Sequence, residues 1–149
     1  MRDVIGRAGL FFYLAFLDEA RAKDATRDIV KTLRRRGLHK AQGESLEELV
    51  QLIHNYSVRH IDSARPTGTS FTSGDLVIPA GFNWSRWLEF RRQSERNDFY
   101  AVLFTRILGI SEALVAKALR VSDGTMRFRV ARGLRLLGSV SQSGVGNGT

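Results

Sequence analysis

The 149-residue sequence contains no cysteine. That removes disulfides, thiolate nucleophiles and cysteine-ligated zinc or iron–sulfur sites, and suits a chain working in a reducing cytoplasm. There are three histidines, His39, His54 and His60. The last two stand six apart on an expected helix, too far round it for an i, i+4 metal pair, and no glutamate separates them as zinc peptidases require. Asp24 and Asp28 are spaced four apart, but no third ligand and no glycine-rich phosphate loop accompanies them. No metal, cofactor, small-molecule substrate or enzymatic activity is therefore expected. A long apolar run is also missing. Leu10 to Leu17 is apolar throughout, but it falls short of the ~20 residues a membrane helix needs. Asp18-Glu19 follows it directly, so it reads as core helix and no membrane association is expected.

Acidic side chains are in deficit: 23 Lys and Arg stand against 15 Asp and Glu, a net charge of +8. Most of the excess is arginine, whose planar fork of donors suits phosphate and guanine. It is concentrated late in the chain. From Lys117 to Arg135 there are six basic side chains and one acid, Asp123. A nucleic acid, an anionic membrane or an acidic protein could each answer such charge.

No strand ladder and no internal repeat is visible, and the pattern is all-α. Three helical segments fit the first 65 residues. Val4 to Leu17 is apolar almost all round, which implies burial on most faces. Ala22 to Arg36 carries Ala25, Ile29, Val30 and Leu33 at helical spacing and ends in Arg34-Arg35-Arg36-Gly37, cations and a glycine suited to a helix C-terminus. Ser45-Leu46-Glu47-Glu48 has the pattern of a capping box and opens a third helix that Pro66 stops. Residues 66–82, "PTGTSFTSGDLVIPAGF", contain both prolines of the protein and read as a flexible linker. Asn83 caps a helix through about Ser94, and another runs from about Asn97 to Leu108. The tail, residues 139–149, is rich in Gly and Ser and reads as disordered. The expected layout is thus two small helical modules, 1–65 and 83–138, joined by the linker.

The stretch "LGISEALVAKALRVSDGTMRFRVARGLRLLG", Leu108 to Gly138, carries the functional signal. Ser111 caps one helix, which buries Leu114, Val115, Ala118 and Leu119. A tight turn at Arg120-Val121-Ser122 buries Val121, and Ser122 or Asp123 caps the next. Met126, Val130, Leu134 and Leu137 recur at helical spacing as its buried face. The opposite side holds Thr125, Phe128, Arg132 and Arg135, flanked by Arg127 and Arg129. This is helix–turn–helix logic, in which the second helix is read against a groove. Apart from Arg127, which has Asp123 four residues before it, the arginines lack i, i+4 acidic partners along the helix, and an exposed phenylalanine among them suits a thymine methyl or a base face.

These residues resemble the C-terminal DNA-reading module of bacterial RNA polymerase sigma factors of the extracytoplasmic-function type. Gly109-Ile110-Ser111, Ala116, Leu119, Val121-Ser122, Gly124-Thr125, Arg127, Arg129 and Arg132 all fall in that pattern. Leu49 to Pro66 resembles the promoter-melting helix of the same family, with Leu52, Asn55, Val58, His60 and Ile61 in register. Asp24 to Arg36 resembles its polymerase-clamping helix. The sequence departs from the pattern at Arg59, where an aspartate is usual, and in the thinned basic cluster Asp62-Ser63-Ala64-Arg65.

The resemblance implies an all-α sigma factor that binds core RNA polymerase through the β′ clamp and β flap and directs transcription initiation from promoter DNA. It implies that Thr125, Arg127, Phe128, Arg129, Arg132 and Arg135 meet the upstream element, with Arg135 on phosphate. It further implies that Asn55, Tyr56, Arg59 and His60 take the melted minus-ten element, and that Asp24, Asp28 and Lys31 meet the polymerase. An anti-sigma factor is a possible further partner. Two other readings share these residues: a sigma-like adaptor that binds polymerase or an anti-sigma factor without initiating, and a one-component helix–turn–helix regulator.

Overall fold

The computed structural model describes residues 2–37, 44–60 and 82–146. Every regular element among them is helical, as the pattern of the sequence predicts. The chain forms two compact units, Met1–Ile78 and Pro79–Thr149. Linker residues 66–81 and the end of the tail lie outside the described residues.

The first unit is built on α1 (Arg2–Phe16), α2 (Glu19–Arg35) and α3 (Glu44–His60). From Ala8 onward α1 buries nearly every side chain, because α2 and α3 both pack on it. Phe12 stacks on Phe16 with ring centroids 5.5 Å apart and meets Phe11 edge-on at 5.6 Å. Leu17 then takes the left-handed conformation at φ 57°, an uncommon state for a branched residue. The following Asp18 caps α2 by accepting a hydrogen bond from the Arg21 amide at 3.1 Å. The helix therefore begins three residues before Ala22, the start predicted from apolar spacing. Ala22, Ala25, Ile29 and Leu33 form its buried face. α3 begins at Glu44, which puts Ser45 inside the first turn rather than at the cap. Leu49, Val50 and Ile53 are its inner residues, and Arg36 at the end of α2 pairs with Glu48.

The second unit contains α4 (Trp84–Gln93), α5 (Arg96–Val102), a wide π-helical turn at Leu103–Ile107, α6 (Glu112–Leu119) and α7 (Asp123–Gly146). Asn83 caps α4 through the Arg86 amide at 3.1 Å. Trp87, Phe90 and Phe99 pack mutually with centroids 5.4 to 5.8 Å apart, and Phe82 adds its ring to Trp84 and Trp87. The sequence predicts one continuous helix from Asn97 to Leu108. Instead the ladder widens at Leu103, where the Leu108 amide reaches back five residues to the Leu103 carbonyl at 2.9 Å. α7 also runs to Gly146, across residues whose composition predicts disorder. Once a helix is nucleated, each added residue contributes a backbone hydrogen bond, so weak formers can extend it.

Candidate nucleic-acid interface

α6 and α7 build the helix–turn–helix. Ser111 caps α6 by accepting from the Leu114 amide at 3.2 Å, and Val115, Ala116 and Ala118 are buried. The turn reverses at Arg120, which is left-handed at φ 57° and ψ 44° and whose amide reaches the carbonyls of Ala116 and Lys117. This leaves Val121 half-buried rather than enclosed. Ser122 then closes the start of α7 twice over. Its Oγ accepts from the Thr125 amide at 3.0 Å and donates to Thr125 Oγ1 at 2.8 Å. Of the two caps predicted, Ser122 is the one used.

The inner face of α7 differs from the predicted one. Met126 and Val130 are buried as expected, but Leu134 is 36% exposed and Leu137 half-buried. Gly133 takes the inner position instead. A Cβ there would stand 2.5 Å from Val102 Cγ2 and 3.2 Å from the Asp98 carbonyl oxygen, so α5 and α7 meet almost backbone to backbone. The spacing Met126–Val130–Gly133–Leu137 is as helical as the apolar series. Hydropathy favours Leu134 over Gly133, whereas close packing selects the residue without a side chain.

That rotation sorts the basic residues. Thr125, Arg127, Phe128 and Arg135 are exposed, Arg129 is half-buried, and Phe128 keeps 54% of its surface open. Arg135 places Nε 3.5 Å from the Ala131 carbonyl. Arg132 turns toward α5. Its Nε donates to Asp98 Oδ2 at 2.5 Å, and its Nη2 donates to Asp98 Oδ1 at 3.1 Å and to Glu95 Oε2 at 2.7 Å. The same guanidinium lies 5.1 Å from the centroid of the Phe128 ring. The hydrogen bond to Asp98 is the main reason that its pKa lies above the ordinary arginine value, followed by the desolvation that opposes it and the charges of Asp98 and Glu95. Arg132 thus draws its acidic partners from the start of α5 rather than from α7. Asp98 and Glu95 are 34 and 37 residues away in sequence, and no local spacing rule reaches that far.

In the first unit, Asp24, Asp28 and Lys31 are exposed on α2, with Asp24 accepting from Arg27 at 3.1 Å. Asn55, Arg59 and His60 are exposed on α3, and Tyr56 is half-buried. Tyr56 packs edge-on against Phe12 at 5.3 Å and lies 4.3 Å from the His60 ring. Its phenol is pushed up by burial, then by the charges of Asp28 and Asp24, while Arg21 opposes. Phe16, Arg21, Asp24, Tyr56 and His60 line one cleft of about 200 Å³. Residues assigned from the sequence to two separate contacts, polymerase and melted DNA, thus share a wall. The sequence reading missed Phe16 and Arg21, because they fall in an apolar run and at a helix start.

Among the described residues no group of three or more His, Asp or Glu is placed to hold a metal, and no helix is long and apolar enough to cross a membrane.

No protein-family model matches the chain, and no curated protein matches it in sequence. Among solved structures it is similar to the sigma factor RpoE of Bartonella quintana, crystallised in complex with the anti-sigma factor NepR. The TM-score is 0.66 over 93% of this chain and 92% of that one, at 14% identity. The chain shares the fold of that protein. At that identity the likeness concerns architecture, and function has to be argued from the side chains.

Proposed function

We propose that this chain is a sigma factor of the extracytoplasmic-function type, binding core RNA polymerase and selecting promoters through α7. The observation that carries the reading is the outer face of α7, where Thr125, Arg127, Phe128 and Arg135 stand in solvent beside a capped helix start. An exposed aromatic among cations on the second helix of a helix–turn–helix fits the major groove, where arginines meet phosphates and guanines and the ring meets a thymine methyl. Arg127 and Arg129 are the base and phosphate contacts, with Arg135 on phosphate. In the first unit, Asp24, Asp28 and Lys31 offer a charged surface to the polymerase. Asn55, Tyr56, Arg59 and His60 are the residues for melted DNA.

The deciding experiment incubates the full chain with core polymerase and fragmented genomic DNA of its host and maps transcript starts. Starts that share an upstream motif and vanish without the chain support the reading; a chain that leaves the start pattern of core enzyme unchanged refutes it.

One observation favours the adaptor reading. Tyr56 is held against Phe12 and faces Asp24 and Asp28, which weakens it as a platform for an anionic single strand. An adaptor binds polymerase or an anti-sigma factor, the kind of partner seen with the structural neighbour, and yields no new starts in the same assay.

A further inference from the structure

Asp98 is 3% exposed, and a buried carboxylate needs a partner to remain in place. The partner is Arg132, and meeting it occupies most of the guanidinium. The two bonds to Asp98 and the one to Glu95 engage Nε and Nη2. A guanine takes an arginine through donors on two nitrogens at once. With Nε and Nη2 committed, no such pair is left.

We infer that Arg132, placed by its sequence among the base-reading residues, is a positioning residue instead. It holds α7 in register on α5 and fixes the ring of Phe128 as the group that selects a thymine methyl. Gly133 and the Asp98 backbone bring the two helices close enough for the clamp to form. The cation 5.1 Å from the Phe128 centroid restrains the ring, while more than half of the residue's surface stays open. A ring already ordered loses little rotamer freedom when a groove closes on it. Glu95 sits at the cap position of α5 without making a capping bond; its carboxylate crosses to Arg132 instead. The thymine half of this inference rests on the proposed duplex-reading role of α7, whereas the clamp does not.

Two measurements separate those halves. Without DNA, the Arg132 Nε–H resonance of the full chain should be sharp and slow to exchange at neutral pH, and Glu95→Gln should weaken that protection. Exchange as fast as that of the exposed arginines overturns the clamp. With DNA, the full chain selects sites from a randomised duplex pool, and each selected thymine is then replaced by deoxyuridine, which lacks only the methyl. Wild type should lose affinity about fourfold at one position, as the transfer of one methyl suggests. Phe128→Ala and Arg132→Lys should both be indifferent to that replacement, since lysine keeps the charge but cannot form the fork. Arg132→Gln should leave the salt slope unchanged. A fall in the slope of about 0.9, one phosphate's share, or an Arg132→Lys chain that still distinguishes thymine, overturns the positioning role. A wild type that selects no site overturns the duplex reading together with its thymine half, and the exchange measurement still decides the clamp.

Discussion

Phe128 and Arg132 stand four residues apart on α7, which places them on adjacent turns of one face. Their environments differ sharply. Phe128 makes no use of the core, so Phe128→Ala should leave the thermal midpoint nearly unchanged, as for most surface substitutions, while weakening duplex binding. Arg132→Ala removes the partner of a buried carboxylate and should lower the midpoint of the second unit; an unchanged midpoint would mean that Asp98 is satisfied by water. Arg120 provides a third case. It sits left-handed in the turn, a conformation that costs an L-residue roughly 1–2 kcal/mol and that glycine takes freely. Arg120→Gly should stabilise the fold by about 1 kcal/mol in a denaturant titration. Loss of stability would show that the Arg120 side chain contributes more than its backbone costs.

At the scale of elements, the contact of α5 with α7 governs the geometry of the interface. Gly133→Ala would push a methyl into Val102, itself fully buried, and overpacking of that kind costs about 1–3 kcal/mol. Chemical denaturation measures the loss directly, and a neutral result would mean that α7 can slide outward unimpeded. The tyrosines of α1 and α3 respond to pH rather than volume. Burial raises the phenols of Tyr56 and Tyr13 above 10.0, with nearby carboxylates adding to it. The folded state then keeps protons that the unfolded state has released, so stability falls as pH rises above 10. Phenolate absorbance of the native chain should lag behind that of the unfolded chain, and coincident titrations would contradict the burial of both rings.

Element boundaries also show where local sequence suffices. Asn83, Ser111 and Ser122 act as caps because each side chain bonds an amide three residues on, a relation contained in a four-residue window. The all-helical pattern and the buried α1 were legible for the same reason. Three features were not. The start of α2 at Glu19 depends on a left-handed Leu17, a conformation that leucine does not advertise. The wide turn at Leu103 breaks no rule of composition. The inner face of α7 turns on Gly133, which hydropathy scores as nothing, and on an ion pair spanning 34 residues of chain.

For the whole molecule, the two units pose separate questions. The outer side of α7 was predicted from spacing, and its solvent exposure follows the wheel at Thr125, Arg127, Phe128 and Arg135. The first unit departs more from expectation, since Tyr56 belongs partly to a cleft it shares with Phe16, Arg21 and Asp24. If that cleft is the polymerase-facing surface, Asp24→Lys should weaken capture of core enzyme without altering the duplex affinity of the second unit. Equal losses in both assays would argue against independent roles.

The narrow seam at Gly133 has a practical corollary. Because α7 seats itself through Met126, Val130 and a residue with no side chain, the exposed positions 127 and 128 take little part in its inward anchoring. On the proposed duplex-reading role, those two positions could be randomised in a library and screened for new operator sequences while the scaffold beneath stayed as it is. The same seam would be the last place to vary, since any larger residue there would shift the whole outer face of α7 at once.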